Sequence, residues 1–226
     1  MGIRALVYRL LRQSERFTKT DMVYLASGGF WLAIAQAIST ASAFFLAVAF
    51  ANLLPKETYG EYRYLLSVFT LLSVFTLEGM NTALVQAVAR GYSGSLLPAL
   101  ATKIKWGLIG SAASLAIGLY YYATGNITFG AAMIVLSVFI PITDSLEIYQ
   151  SYLSGQRKFT DLTRYVTVFK IVHATSIIIA LLATNSLYII FAAYFLPQIV
   201  LKSFYLRRLL RRFPVNTRTD PETIPY

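Results

Sequence analysis

An ionisable side chain inside a long apolar stretch is costly to hold in lipid and marks a functional site by default. Five residues stand out in this way: Glu78, Asp144, Glu147, Lys170 and His173. Glu78 lies deepest within its apolar run, beyond the reach of snorkelling, and its neighbour Gly79 can loosen a helix there. Asp144 and Glu147 are three residues apart and share a helix face, as do Lys170 and His173. Three acids and one or two bases could thus meet, with Lys170 and His173 as the partners expected for Glu78. Two chemistries fit such a set. One is a switchable ion-pair cluster that closes the inner end of a cavity; the other is a proton or sodium site that drives transport. A structural role fits too, with Glu147 and Lys170 snorkelling to the inner interface and Asp144 pairing locally. Gln36 carries an amide that needs a neighbouring helix or water. Arg63 stands among Tyr59, Tyr62 and Tyr64; its planar fork suits a diphosphate, and it equally suits an interfacial anchor in an aromatic belt. Most of the 16 tyrosines are read as belt residues on the same ground.

Other chemistries are poorly supplied. The chain has no cysteine and one histidine, so thiolate chemistry is excluded and a zinc site would have to be built from carboxylates. Gly91-Tyr92-Ser93-Gly94 imitates the Gly-x-Ser-Gly of intramembrane serine proteases, but it falls in a loop rather than in a helix within lipid. No bond-making reaction, cofactor or metal is expected.

The elements that position these residues are membrane helices. Of 226 residues, 57% are hydrophobic and 13% charged, about half the ~25% charged share of a soluble domain; mean hydropathy is +0.59. About 20 apolar residues cross a bilayer core, and six such runs are predicted: Tyr24 to Leu54, Glu61 to Arg90, Leu97 to Ala123, Ile127 to Ser154, Leu162 to Ala183 and Leu187 to Leu210. The fold expected is all-α: a six-span lobe over residues 22–212, a basic amphipathic segment lying on the inner leaflet over 1–21, and a polar linker-like tail over 213–226. The amino-terminal segment lacks the h-region and cleavage site of a signal peptide. In the first run Ala35, Ser39, Ala43, Ala47 and Ala51 recur every four residues, a small-residue seam that suits a helix held centrally in a bundle. Pro55 to Gly60 reads as the turn before the second run, Lys103 and Lys105 as snorkelling lysines at the start of the third, and Pro141 as a break in the fourth.

Lys and Arg crowd the amino end, the second and fourth loops and the carboxyl end, so both termini are expected to be cytoplasmic. Glu78, Asp144, Glu147 and Lys170 then fall in the cytoplasmic half of the membrane and His173 near its middle. The net charge of +10 is topological on this reading, and no nucleic-acid partner is expected.

Five stretches carry a family resemblance. Leu54-Pro55-Lys56-Glu57-Thr58-Tyr59-Gly60-Glu61-Tyr62 is followed by Glu78-Gly79-Met80-Asn81-Thr82-Ala83 and Ala89-Arg90-Gly91; Leu25 to Trp31 precedes them and Gly155-Gln156-Arg157-Lys158-Phe159 follows. The chain resembles, over nearly its whole length, the first lobe of the bacterial oligosaccharide-lipid flippases. These belong to the multidrug, oligosaccharidyl-lipid and polysaccharide exporter superfamily and include the O-antigen flippases. The resemblance implies alternating-access transport of an undecaprenyl-diphosphate-linked oligosaccharide across the bacterial inner membrane, the sugar lying between two six-span lobes among membrane lipids. The second lobe would be a missing carboxyl-terminal half, a separate chain or a second copy, because residues 213–226 look like an inter-lobe linker. Two further readings stand beside it: a cation-coupled multidrug exporter lobe, and a non-transporting membrane scaffold of a polysaccharide assembly complex.

Overall fold

In lipid every backbone N–H and C=O must find its partner within the protein, which leaves apolar runs little choice but the helix. Residues 22–213, those described by the computed structural model, are helices joined by short turns, with no strand among them. In order they are α1 (Met22–Leu53), α2 (Lys56–Ser73), a 3-10 turn (Val74–Thr76), α3 (Gly79–Ala89), a second 3-10 turn (Ser93–Ser95), α4 (Leu96–Ala123), α5 (Ile127–Leu146), α6 (Ile148–Gly155), α7 (Phe159–Ala183) and α8 (Leu187–Arg212). The segment 1–21 and the tail 214–226 lie outside the described residues.

Among the described residues four helices are long and apolar enough to cross a membrane: α1 from Gly28, the run Ile127–Gly155, α7 and α8. The pair α2 and α3, bent by 44°, makes a fifth if it is one span. Against the six runs expected, the remaining one is α4, which has the length at 28 residues but is diluted by Lys103, Lys105, its serines and glycines, and Tyr120 to Tyr122.

Breaks fall where the backbone changes hydrogen-bond partner. Gly60 is helical rather than part of a turn, because Pro55 sits at the N-cap with φ −55° and ψ 143° and α2 starts directly after it. The break near Glu78 is real: Leu77 adopts the left-handed conformation (φ 57°, ψ 74°) and α3 restarts at Gly79. Pro141, by contrast, does not break α5. The carbonyl four residues before it, Ser137 O, accepts from Ser111 Oγ of α4 at 2.6 Å, so the missing proline N–H leaves nothing unsatisfied. The chain bends past Leu146 instead, where Glu147 N–H donates to Asp144 O at 3.3 Å in a 3-10-type turn.

Close packing is concentrated between α4 and α5, the most extensively paired helices. A Cβ on Gly107 would lie 2.9 Å from Pro141 Cα, one on Gly118 2.9 Å from Ile134 N, and one on Gly130 2.6 Å from Tyr122 N. Backbone meets backbone there, and Ser114 Oγ donates across the seam to Met133 O at 2.9 Å. This is the small-residue mode by which membrane helices attract one another without a hydrophobic drive. The seam expected on α1 behaves differently. Ala35 is buried, Ser39 half-buried and Ala43, Ala47 and Ala51 exposed. α1 is a peripheral helix that packs chiefly along α7, with Thr163 Oγ1 donating to Trp31 O at 3.0 Å and Gly28 set against the Phe159 ring. Four of the tyrosines, Tyr62, Tyr149, Tyr152 and Tyr205, are buried core residues rather than belt residues.

The apolar interior is divided in two. One core gathers Phe50, Tyr62, Phe69, Ile140, Ile177 and Phe195; the other gathers Met80, Leu84, Ile148, Tyr149, Tyr205 and Leu209.

Candidate functional site

Each helix that passes from one core to the other changes character on the way. Along α8 the order is Phe195, then Gln198 and Lys202, then Tyr205; along α5 and α6 it is Ile140, then Thr143, Asp144 and Glu147, then Ile148; along α2 and α3 it is Leu72, then Ser73 and Thr76, then Met80. On α7 the residue between Phe169 and Ile177 is His173. A polar layer therefore crosses the bundle between two apolar cores, and the breaks at Leu77 and Glu147 lie within it.

Lys202 is the centre of this layer. Only 2% exposed, it donates to Glu147 Oε2 at 2.8 Å and to Thr143 O at 3.2 Å. The carbonyl is free for it because Glu147 N–H has turned to Asp144 O, so the helix break and the buried ammonium explain each other. The second oxygen of Glu147 accepts from Gln150 Nε2 at 2.8 Å. A second buried lysine, Lys103 of α4, is 1% exposed and donates to Asn81 Oδ1 of α3 at 2.9 Å. Asp144, Glu147 and Glu78 act on Lys103 as counter-charges, and Asp144 lies beside Ser73 under the charges of Lys202 and Lys103. Two ammonium groups thus face two carboxylates, the balance that lets charge persist in a low-dielectric interior.

The layer opens sideways. Gln36 and Ser39 of α1, Glu147, Gln150 of α6 and Phe169 and Lys170 of α7 line a groove of about 520 Å³. The Glu147 side chain is 42% exposed there while its partner Lys202 is 3% exposed, so Glu147 joins the buried layer to the groove. Phe169 forms the inner wall, with Lys202 Nζ 5.4 Å and Lys170 Nζ 5.9 Å from its ring centroid. His173 stacks on Phe169 at 5.4 Å and meets the Tyr194 ring edge-on at 4.8 Å; its Nε2 is buried with no hydrogen-bond partner among the described residues.

Asp144, Glu147, Lys170, His173 and Gln36 therefore converge on one region. Glu78 does not join them: it is exposed at the helix break and faces Lys103, so the expected partners Lys170 and His173 are not its own. Glu147 does not snorkel to the interface, being held by Lys202. Arg63 is exposed on α2, beside the core that contains Tyr62 and away from the groove. Lys103 is not a snorkelling lysine, although exposed Lys105 two residues on is free to be one. Lys202, Asn81 and Gln150 are functional candidates that the sequence reading passed over. The signal for Lys103 was its place four residues before Gly107 on the face that carries Gly110, Ser114 and Gly118; the signal for Lys202 was its place four after Gln198 and three before Tyr205 on one buried face. Among the described residues no group of three or more His, Asp or Glu comes together as a metal site.

Comparison with curated proteins and with solved structures finds no match. A family profile described as polysaccharide biosynthesis protein matches residues 25–224, from the first turn of α1 to beyond the end of α8. A multi-pass helical membrane chain with an internal charged layer, matched by that profile over nearly all its length, belongs to the polysaccharide biosynthesis protein family.

Proposed function

We propose that this chain is one lobe of a flippase that carries an undecaprenyl-diphosphate-linked oligosaccharide across the bacterial inner membrane for polysaccharide or O-antigen assembly. A second six-span lobe, from the same polypeptide, another chain or another copy, would complete the transport path. In this reading all six apolar runs span, α4 included, and both ends of the bundle chain are cytoplasmic, because Arg207, Arg208, Arg211 and Arg212 follow α8 while the turns at Thr124 to Asn126 and Thr184 to Asn185 carry no basic residue.

The observation that carries the proposal is the groove in which Gln36, Glu147 and Lys170 meet beside the buried Lys202. An ammonium at Lys170 attracts a diphosphate, and Gln36, Ser39 and Gln150 offer hydrogen bonds to a polar cargo rather than to an apolar drug. Glu147, with one oxygen on Lys202 and the other on Gln150, is positioned to exchange partners as a cation, a proton or a sugar hydroxyl enters. Asp144 stands ready as the alternative acceptor for Lys202, His173 completes the wall behind Phe169, and Glu78 faces Lys103 at the hinge. A non-transporting scaffold is expected to be closed here, so an open groove on a charged layer favours transport.

The test is flipping of lipid-linked oligosaccharide by the complete transporter in proteoliposomes. Lys170→Gln, which leaves the Lys202–Glu147 pair intact, is expected to lower the rate about tenfold, the size of one charge-assisted contact. Lys105→Gln, an exposed lysine outside the groove, is the control. Equal rates for the two variants remove the groove from the mechanism.

A further inference from the structure

A second cavity, of about 310 Å³, lies at the end of the bundle remote from the arginines of α8. α2 contributes Glu61 and Tyr64, α4 Tyr121, the following turn Asn126, and α5 Thr128 and Phe129. We propose that this cavity is a carbohydrate subsite that holds one pyranose unit of a neutral or amino sugar.

Three rings are fixed against one another. Phe129 meets Tyr121 edge-on at 4.5 Å and 70°, and lies 5.2 Å from Tyr64 at 39°. A pyranose presents a C–H face that packs on such a wall and a rim of hydroxyls that needs acceptors and donors at the edge. Both are in place. Asn126 Oδ1 is committed to Phe129 N–H at 3.2 Å, which turns the two N–H groups of that amide toward other partners. Glu61 is exposed and makes no ion pair or hydrogen bond among the described residues, so its carboxylate is free to accept from a pair of hydroxyls or an ammonium. The cavity sits at the small end of the ~300–1,000 Å³ range of ligand pockets, a size for a single ring rather than a long glycan, with Leu65 and Leu187 beside the three rings and the few placed polar groups of such sites.

Charge narrows the ligand. Glu61 disfavours phosphates and uronic acids, so the site suits the sugar end of a glycolipid and not its diphosphate. An acyl chain would gain nothing from a carboxylate and an amide, and one carboxylate is too few for a metal. The inference deepens the export reading by naming a sugar contact on the far side of the bundle from the charged groove, but sugar binding does not require that export reading to hold.

Saturation-transfer NMR on the full chain tests this, with the protein in phosphatidylethanolamine–phosphatidylglycerol nanodiscs so that no glycoside detergent competes. The probes are methyl β-glucopyranoside, N-acetylglucosamine, glucuronate and acyclic sorbitol. Transfer to the ring protons of the first two is expected to stand well above that to sorbitol and glucuronate. Tyr64→Ala is expected to weaken it about fivefold, Glu61→Gln to admit glucuronate, and Tyr122→Ala, an exposed tyrosine outside the lining, to change nothing. Pyranosides no stronger than sorbitol, or equal losses in Tyr64→Ala and Tyr122→Ala, overturn the proposal; Glu61→Gln supplies an independent charge readout should Tyr64→Ala fail to fold. Lys170→Gln is expected to leave this signal unchanged, which separates failure of the sugar site from failure of transport.

Discussion

Lys202 and Glu147 share an ion pair of 2.8 Å but not an environment, because the lysine side chain is 3% exposed and the carboxylate 42%. Breaking a buried pair costs about 3–5 kcal/mol when it strands a charge without solvent. Glu147→Gln strands Lys202, whose remaining support is Thr143 O and the more distant Asp144, and is expected to cost about 3 kcal/mol. Lys202→Met leaves Glu147 open to the groove with Gln150 still bonded to it, and is expected to cost only about 1–2 kcal/mol, chiefly the lost charged hydrogen bonds. The double variant should be less destabilised than the sum of the two, as expected for residues in contact. Equilibrium unfolding of the three variants in mixed micelles reads all of this, and a larger loss for Lys202→Met than for Glu147→Gln would refute the asymmetry.

At the scale of elements, the α4–α5 seam sets the tolerance for added volume. Gly130→Ala places a methyl 2.6 Å from Tyr122 N and 2.8 Å from Gly118 O, and backbone on both sides cannot move without parting the helices. A loss of about 1–3 kcal/mol is expected. Gly60→Ala, within α2 and with nothing within 4 Å of the new carbon, should instead gain about 0.5–1 kcal/mol from helix propensity; equal thermal shifts in the two variants would contradict the seam. What the sequence reveals about these elements follows from what it encodes locally. Apolar runs and turn residues set the positions of the helices to within a few residues, and acids set in apolar surroundings, Asp144 and Glu147, were visible as site candidates. Which way a helix faces is not local. Lys103 and Lys105 look alike as text, yet one is buried against Asn81 and the other exposed. Lys202 goes unread among the residues before the terminal arginines, yet α8 turns it inward beside Gln198. Pro141 looks like a break only until Ser111 of another helix satisfies the freed carbonyl, and the α1 seam looks central only until α7 is seen to cover little of it.

For the molecule as a whole, α4 decides the topology, since it lacks the apolar composition of the other long helices but separates Arg90 from the uncharged turn at Thr124. Its burial of Lys103 against Asn81, rather than exposure to lipid, removes the main obstacle to its crossing the membrane. The chain contains no cysteine, so single substitutions report accessibility without background. Thr124→Cys and Asn185→Cys, both exposed in turns at one end, are expected to react in intact cells with a membrane-impermeant maleimide. Ala89→Cys and Gln156→Cys, at the other end, are expected to react only after permeabilisation. If Thr124→Cys is protected like Ala89→Cys, α4 stays on the inner side. Every later helix then reverses direction, and the arginines that follow Phe204 would face the outer surface, against the electrostatic preference that sets membrane orientation. Lys202 and Glu147 would then lie in the outer half instead of the cytoplasmic half expected for them, so the same four labels also test the side from which the groove loads.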